Sequence, residues 1–342
     1  MKAVLCKEFG PPDTLVVEEI NSPAPGEAQV RIDVKACGVN FPDLLIIADK
    51  YQFKPPMPFS PGGEVAGVVS ALGQGATRLK VGDRVIAAPG WGGFAEQVVT
   101  SEKGVIIIPD EMDFVTAAAF LFTYGTSYYA LKDRGRLKKG ETLLVLGAAG
   151  GVGLAAVELG HAMGARVIAA ASSQDKLATA KAHGAEETLL YPVGTLDTDQ
   201  QRSFSKDIKE ICGGGGPDVV YDPVGGTYAE PSLRAINWSG RYLVIGFASG
   251  TIPKIPLNLT LLKSCSIVGV FWGASANREP DLHRDNVREL MEMYLGGKVK
   301  PHIFATYPLS QTTKALEVLA ARKVMGKVVV VTEEKVLKQG TK

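Results

Sequence analysis

The sequence predicts an α/β protein of two domains, one compact and β-rich, the other a doubly wound parallel sheet. Three observations predict it. The 342 residues exceed the roughly 250–300 at which a single core stops growing. Short β-like runs fill the first third of the chain. Near Tyr124 apolar strands begin to alternate with Ala-rich helical segments in units of about 25–30 residues, as parallel βαβ units do. A binding cleft between the two domains is expected from such a division.

Up to about Phe120 the strand-like runs are 30–34, 65–70, 84–88 and 104–108, separated by Pro55-Pro56, Ser60-Pro61-Gly62-Gly63 and Pro89-Gly90. The next unit has a buried strand at 142–146, a glycine turn at 147–153 and a helix at 154–163. A second strand follows at 166–170, then a helix at 175–183 with Gly184 as its C-terminal cap. Strands at 188–190, 218–221 and 242–245 continue the alternation. After Pro256 the pattern is mixed. A strand at 267–271 precedes a helix at 284–295, whose Val287, Leu290, Met291 and Tyr294 fall on one face and whose end is marked by Gly296-Gly297. Ser310 opens another helix, and a last strand at 328–331 returns to the first domain.

Composition excludes several classes. Lys+Arg 37 against Asp+Glu 36 leaves no basic footprint for nucleic acid and no acidic tail. With 46% hydrophobic and 21% charged residues the chain has material for sizeable cores. No apolar stretch approaches the ~18 residues of a membrane span, and residues 1–9 alternate like a strand rather than a secretory leader, which reads as a cytoplasmic protein. Cys6, Cys37, Cys212 and Cys265 form no C-x-x-C pair, and His161, His183, His283 and His302 form no ligand cluster with them. Reduced, mostly buried thiols and no metal are expected.

A dinucleotide site needs a strand ending in a tight turn, a backbone bare enough to approach pyrophosphate, and a helix whose first N–H groups face the anion. Ala148-x-Gly150-x-x-Gly153 supplies these between strand and helix, with Ala in place of the usual first glycine. At the end of the second strand, where an NAD site normally offers a carboxylate, stand Ser172 and Ser173. Small hydroxyls leave room for a 2′-phosphate, and Lys176 one helical turn on can neutralise it. Asp175 is read as a first-turn carboxylate pointing elsewhere. Gly213, Gly214, Gly215 and Gly216 make a turn rather than a phosphate loop, because no Lys-Ser or Lys-Thr follows.

These residues together with several more make the chain recognisable. Gly140-Glu141-x-x-Leu144 followed by Ala148-Ala149-Gly150-Gly151-x-Gly153, Gly38-Val39-Asn40-Phe41-Pro42-Asp43, Pro61-Gly62-Gly63-Glu64-x-Ala66-Gly67, Val81-Gly82-Asp83-Arg84-Val85, Asp222-x-Val224-Gly225 and Gly326-Lys327-Val328-Val329 are the further motifs. Over its whole length the chain resembles the zinc-free quinone oxidoreductase (zeta-crystallin-like) branch of the medium-chain dehydrogenase/reductase superfamily. Glu158 and His161 stand where that branch usually has Gln and a Lys, Arg or Ser, away from the phosphate contacts. The resemblance implies a GroES-like catalytic domain from residues 1–123 and 262–342, with a Rossmann NADPH-binding domain at 124–261 inserted in it.

It further implies that Asn40 and Thr126 lie beside the nicotinamide and that Gly150, Gly151 and Val152 line the pyrophosphate. Ser172, Ser173, Lys176 and Tyr191 would surround the 2′-phosphate. Gly246-Phe247-Ala248 and Phe271-Trp272-Gly273 would line the nicotinamide, and Arg322 would be a late basic residue near the cofactor. Taken alone, Phe271 and Trp272 read equally well as core. Zinc-binding relatives carry a cysteine where Asn40 stands, a histidine where Gly63 stands, and a four-cysteine lobe after the region of Trp91; this chain has none of them.

Without a Lewis acid, the chemistry that remains is hydride transfer from NADPH to an electron-poor acceptor. Tyr51, Asn40 and Asp43 are the acceptor-side candidates. Tyr51 sits in the Pro-rich loop 49–58, where its phenol either donates to the acceptor oxygen or packs on Pro55, and Asp43 suits orienting neighbours better than moving protons. Quinone reduction is the first expectation. Reduction of an enone or acyl-thioester double bond, and a structural or adaptor role with little turnover, stand beside it. The resemblance also implies a homodimer through edge-to-edge pairing of Rossmann sheets, for which 266–271 is the candidate exposed edge.

Overall fold

The computed structural model describes residues 1–333. It divides into two compact units, one of Met1–Phe122 together with the chain from Pro301 onward, the other of Thr123–Lys300. Residues 334–342, which the expected first domain includes, lie outside the described residues.

In the first unit, β1 (Lys2–Leu5) and β2 (Val16–Glu19) form an antiparallel ribbon. The main sheet is built on β3 (Gln29–Val39), which pairs antiparallel with β4 (Glu64–Leu72) and β6 (Gln97–Ser101); β5 (Arg84–Ala87) and β7 (Val105–Ile107) continue it beyond β4. Along β3, Val30, Ile32, Val34 and Ala36 are buried while Arg31, Asp33 and Lys35 are half-exposed, the two-residue period of a strand with one face on a core. The strand is longer than the expected 30–34 because Cys37 and Gly38 are flanked by strands on both sides and Val39 by β15, and all three are buried. Its end leads through Asn40, in extended conformation, into the short helix Phe41–Ile47, with Pro42 in the first turn where a missing N–H costs nothing.

In the second unit six parallel strands run β8 (Thr142–Leu146), β9 (Arg166–Ala171), β10 (Glu187–Leu190), β11 (Val219–Asp222), β12 (Arg241–Val244) and β13 (Ser266–Gly269). Their order in the sheet is β10-β9-β8-β11-β12-β13, so the winding direction reverses between β8 and β11. Ligands of such sheets bind outside the carboxyl ends of the strands at this reversal. Leu143, Leu144, Val145 and Leu146 are all fully buried, as expected for a strand covered on both faces.

The chain then returns to the first unit. β14 (Ile303–Pro308) pairs parallel with β15 (Lys327–Val331), and β15 pairs antiparallel with β3 at the far end from β6. The expected domain limit at 261/262 is corrected here to 300/301. β13 bonds in register with β12, Ser266 opposite Arg241 and Gly269 opposite Val244, and this keeps 262–300 with the parallel sheet. Smaller shifts of element ends have local causes. The helix expected at 284–295 begins at Pro280, which supplies its first turn, and the helix expected from Ser310 begins at Thr312 after a single 3₁₀ turn. No described helix is long and apolar enough to cross a membrane.

Candidate active site

At the carboxyl end of β8 the left-handed conformation that the tight turn requires falls on Gly147 (φ 59°), one residue before the fingerprint position that Ala148 occupies. Ala148 is therefore free to be an L residue; it is fully buried and its N–H bonds Ala170 O at 3.1 Å. The helix starts at Gly151 and not at 154, with Gly150 as its N-cap, because Gly151, Val152 and Gly153 already have helical backbone. It has no side-chain cap and no acidic residue in its first turn, which leaves its positive end to an anion. A Cβ on Gly153 would stand 2.2 Å from Gly147 O, and one on Gly160 would stand 2.6 Å from Leu143 Cδ2, so these glycines let the helix lie close on the turn and on β8. The arrangement fits a pyrophosphate at Gly150, Gly151 and Val152.

At the end of β9, Ser173 caps the helix Gln174–Ala182 through its Oγ, which accepts from Lys176 N at 3.4 Å. Lys176 Nζ reaches back to Ser172 Oγ at 3.4 Å. One ammonium and two hydroxyls with no carboxylate among them suit a 2′-phosphate and not a bare ribose diol. Asp175, in the first turn of the same helix, is exposed. Tyr191 follows β10 with its N–H on Ala171 O at 3.0 Å. Its ring is buried in an aromatic trio, 4.8 Å from Tyr228 and 5.9 Å from Phe204 between centroids. The ring is thus part of the core under the phosphate-side loop.

Thr126 lies half-buried on the helix Leu121–Tyr128. The next residue anchors it: Ser127 Oγ donates to Val152 O at 2.9 Å and lies 2.8 Å from Tyr221 Oη. This ties Thr126 to the glycine turn. On its other side Gly125 meets Trp272, whose indole Cε2 would be 2.9 Å from a Cβ at 125. Gly125, the residue before Thr126, and Trp272, far apart in sequence, are therefore neighbours. Trp272 is half-buried, edge-on to His283 at 5.6 Å, whereas Phe271 is 49% exposed, so the reading of Phe271 as core is corrected. Gly246-Phe247-Ala248 follows β12, with Phe247 against Gly225 and Ala248 N bonding Pro223 O at 3.0 Å. Val224 in turn lies against Gly147. The loops after β8, β11 and β12 thus gather at one edge of the sheet. Arg322 belongs to the first unit and is exposed, with φ 56° after the helix Thr312–Ala320.

In the first unit Asn40, Asp43, Glu64 and Lys327 form one buried polar cluster. Asp43 Oδ2 accepts from Asn40 N at 2.7 Å, and Oδ1 accepts from Gly62 N and Gly63 N, each at 3.2 Å. Burial pushes the Asp43 carboxyl up to about 6, against the opposing pull of the Asn40 N–H, the Lys327 charge and the two glycine N–H groups. With both oxygens on backbone donors, Asp43 fixes loop 60–63 onto the helix start. These bonds are those of a group that orients its neighbours. Asn40 Nδ2 donates to Gly38 O and Glu64 Oε2, both at 3.1 Å; Lys327 Nζ donates to Asn40 Oδ1 at 2.6 Å, Val39 O at 3.1 Å and Glu64 Oε2 at 3.3 Å. Tyr51 is half-buried in loop 49–58, its ring edge-on to Phe53 at 5.8 Å. Burial, reinforced by the Asp43 charge, raises its phenol, which keeps the hydroxyl a donor at neutral pH.

Sequence reasoning gives Glu64 and Lys327 only as motif letters. A signal is present all the same: each is a charged residue opening an apolar strand, Glu64-Val65-Ala66 and Lys327-Val328-Val329. The departure at Glu158 also has a structural reason, since its carboxylate accepts from Tyr124 Oη at 2.6 Å and Lys300 N at 3.0 Å and meets His183 Nδ1 at 2.5 Å. Among the described residues no group of three or more His, Cys, Asp or Glu could hold a metal ion.

Residues 26–110 match the family model described as Alcohol dehydrogenase GroES-like domain, and residues 151–293 the one described as Zinc-binding dehydrogenase. The chain is 40% identical over 337 residues to a quinone oxidoreductase-like protein 2 homolog of Nematostella vectensis, covering 97% of this chain and 89% of that protein. It is 34% identical over 319 residues to a human quinone oxidoreductase, covering 93% of each. The crystal structure of an Escherichia coli quinone oxidoreductase complexed with NADPH is similar with a TM-score of 0.86 at 28% identity, covering 97% of this chain and 100% of that one. A fold built of these two units, with this glycine turn and this level of identity over nearly the full length, leads to one conclusion: the chain belongs to the quinone oxidoreductase branch of the medium-chain dehydrogenase/reductase superfamily.

Proposed function

We propose that this chain, an oxidoreductase by family, reduces quinones or similarly electron-poor carbonyl acceptors with NADPH and without zinc. The observation that carries the cofactor is the edge of the parallel sheet, where the uncapped helix start at Gly151 and the ammonium of Lys176 beside Ser172 offer two phosphate sites. When bound, NADPH supplies the hydride. The protein's own part is to hold the two phosphate groups, to keep Thr126 in place through Gly125 against Trp272, and to offer the Tyr51 hydroxyl to negative charge developing on the acceptor oxygen. Zinc independence is supported at Gly63, where a Cβ would stand 3.1 Å from Gly90 O and 3.2 Å from Phe122 Cζ, so that a histidine ligand would have to displace the phenyl ring.

A homodimer is part of the same reading. β13 has an outer edge with no partner strand among the described residues, and Ile267, Leu257, Leu261, Leu262 and Phe271 are exposed on it or close to it in sequence. Cytoplasmic localisation agrees with four free thiols. The test is steady-state NADPH oxidation over a panel of quinones, small enones and acyl thioesters, with and without a chelator. Fastest turnover on quinones, insensitive to chelator, supports the reading. Preference for an enone or thioester moves the chain to double-bond reduction, and no turnover with any acceptor leaves cofactor binding alone.

A further inference from the structure

The two phosphate sites stand at the N-termini of two helices that are held very unequally. The helix Gly151–Ala162 buries every residue from Gly153 to Gly160, whereas the helix Gln174–Ala182, which carries Lys176, buries only Leu177 and Ala180. A helix with so little buried apolar surface shifts at low cost unless something else holds it. Its far end is held by a polar contact to the first helix.

Glu158, in the second half of the first helix and one of the two departures from the branch's pattern, is 8% exposed. Its Oε2 accepts from Tyr124 Oη at 2.6 Å and from Lys300 N at 3.0 Å, which fixes the carboxylate. Oε1 then lies 2.5 Å from Nδ1 of His183, the residue that ends the helix Gln174–Ala182. A carboxylate only accepts, so Nδ1 carries the hydrogen and donates it. Beside this contact Gly184 has φ 106°, and a Cβ there would stand 2.9 Å from Cβ and from Cγ of His161, so glycine lets the two helix ends close on each other. All of these residues belong to the second unit. A buried pair of this kind specifies geometry more than it adds stability.

We infer that Glu158 and His183 are positioning residues that bolt the 2′-phosphate helix to the pyrophosphate helix, so that the spacing of the two sites matches a dinucleotide carrying both groups. The inference rests on the NADPH reading above and goes beyond it, because both side chains act from the distal halves of the helices, away from the N-termini that meet the phosphates. With the spacing fixed, the second phosphate contact is intramolecular once the first has formed. With the spacing loose, part of that advantage is lost in ordering the helix.

The test is equilibrium binding of three probes that lack the nicotinamide: 2′-AMP, ADP-ribose and 2′-phospho-ADP-ribose. The wild type binds 2′-phospho-ADP-ribose roughly tenfold or more tightly than ADP-ribose, the gain from a 2′-phosphate when the pyrophosphate is already seated. In His183→Ala that gain falls to about threefold or less, while 2′-AMP and ADP-ribose each keep their affinity to within about twofold. His183→Asn sets an amide nitrogen near the place of Nδ1 and restores the gain. A gain that survives in His183→Ala overturns the inference. So does a parallel loss of 2′-AMP binding, which would be local damage to the helix and not lost spacing, and so does failure of the Asn variant to restore the gain. If the alanine variant does not fold, His183→Leu, which fills the space without a donor, must show the same loss, and survival of the gain there is equally decisive. A wild type that gains nothing from the 2′-phosphate would instead bring down the NADPH reading, and the inference with it.

Discussion

Replacing Asp43 by Asn separates the charge of this group from its hydrogen bonds. Asn keeps an oxygen for the Gly62 and Gly63 N–H groups and loses the acceptor for the Asn40 N–H, a constant cost at every pH. The charge acts differently. Burial raises the carboxyl in the fold to about 6 from its ordinary 3.8, so the contribution of this group to stability is full below about 3.8 and is lost as the pH rises through about 6. Integrating between those values, ionisation of Asp43 costs the fold roughly 1 kcal/mol at pH 4.5 and roughly 3 kcal/mol at pH 7. Stability of Asp43→Asn relative to wild type therefore improves by about 2 kcal/mol across that interval, whatever its constant offset. Paired urea titrations of the two proteins at half-unit steps from pH 4.5 to 7.5 measure the difference, and other titrating groups cancel from it. A difference that stays flat, or that moves in favour of wild type as the pH rises, refutes the reasoning and means that the three N–H donors and Lys327 outweigh burial.

Four further outcomes follow from the site. NADPH binds at least about tenfold more tightly than NADH, and Lys176→Ala narrows the gap by weakening NADPH, as fluorescence titration reads; equal affinities in the wild type remove the 2′-phosphate site. Tyr51→Phe lowers turnover by about 10- to 100-fold with NADPH affinity unchanged, and more for an enone than for a quinone, whereas a packing role alone predicts loss only in Tyr51→Ala. Gly153→Ala sets a methyl group 2.2 Å from a backbone carbonyl that has little freedom to move, so thermal melts register a loss of roughly 1–3 kcal/mol and NADPH titration a weaker complex. Light scattering at micromolar concentration gives a dimer mass that Ile267→Lys, a charge on the exposed edge strand, shifts to monomer; a monomeric wild type ends the dimer proposal.

Features written in short stretches of chain are legible in the amino-acid sequence alone. The apolar run 142–146, the glycines after it and the helical stretch beyond can only be a strand, a tight turn and a helix, because period and backbone freedom are properties of neighbours in sequence. Ser172, Ser173 and Lys176 are readable for the same reason, since a cap and its partner lie within one turn. Tertiary pairing settles the rest. Nothing local to 266–269 says whether that strand joins the parallel sheet; its bonds to β12 do, and they carry the domain limit to 300/301. The aromatic ring of Tyr191 is core because Phe204 and Tyr228 arrive from later elements, and Phe271 is exposed although its composition alone suits an interior. Glu64 and Lys327 each look like an isolated charge at the head of an apolar strand. Only the folding of β15 against β3 brings the two ions within 3.3 Å of each other, because the energy of burying either one depends on a partner that the local sequence cannot specify.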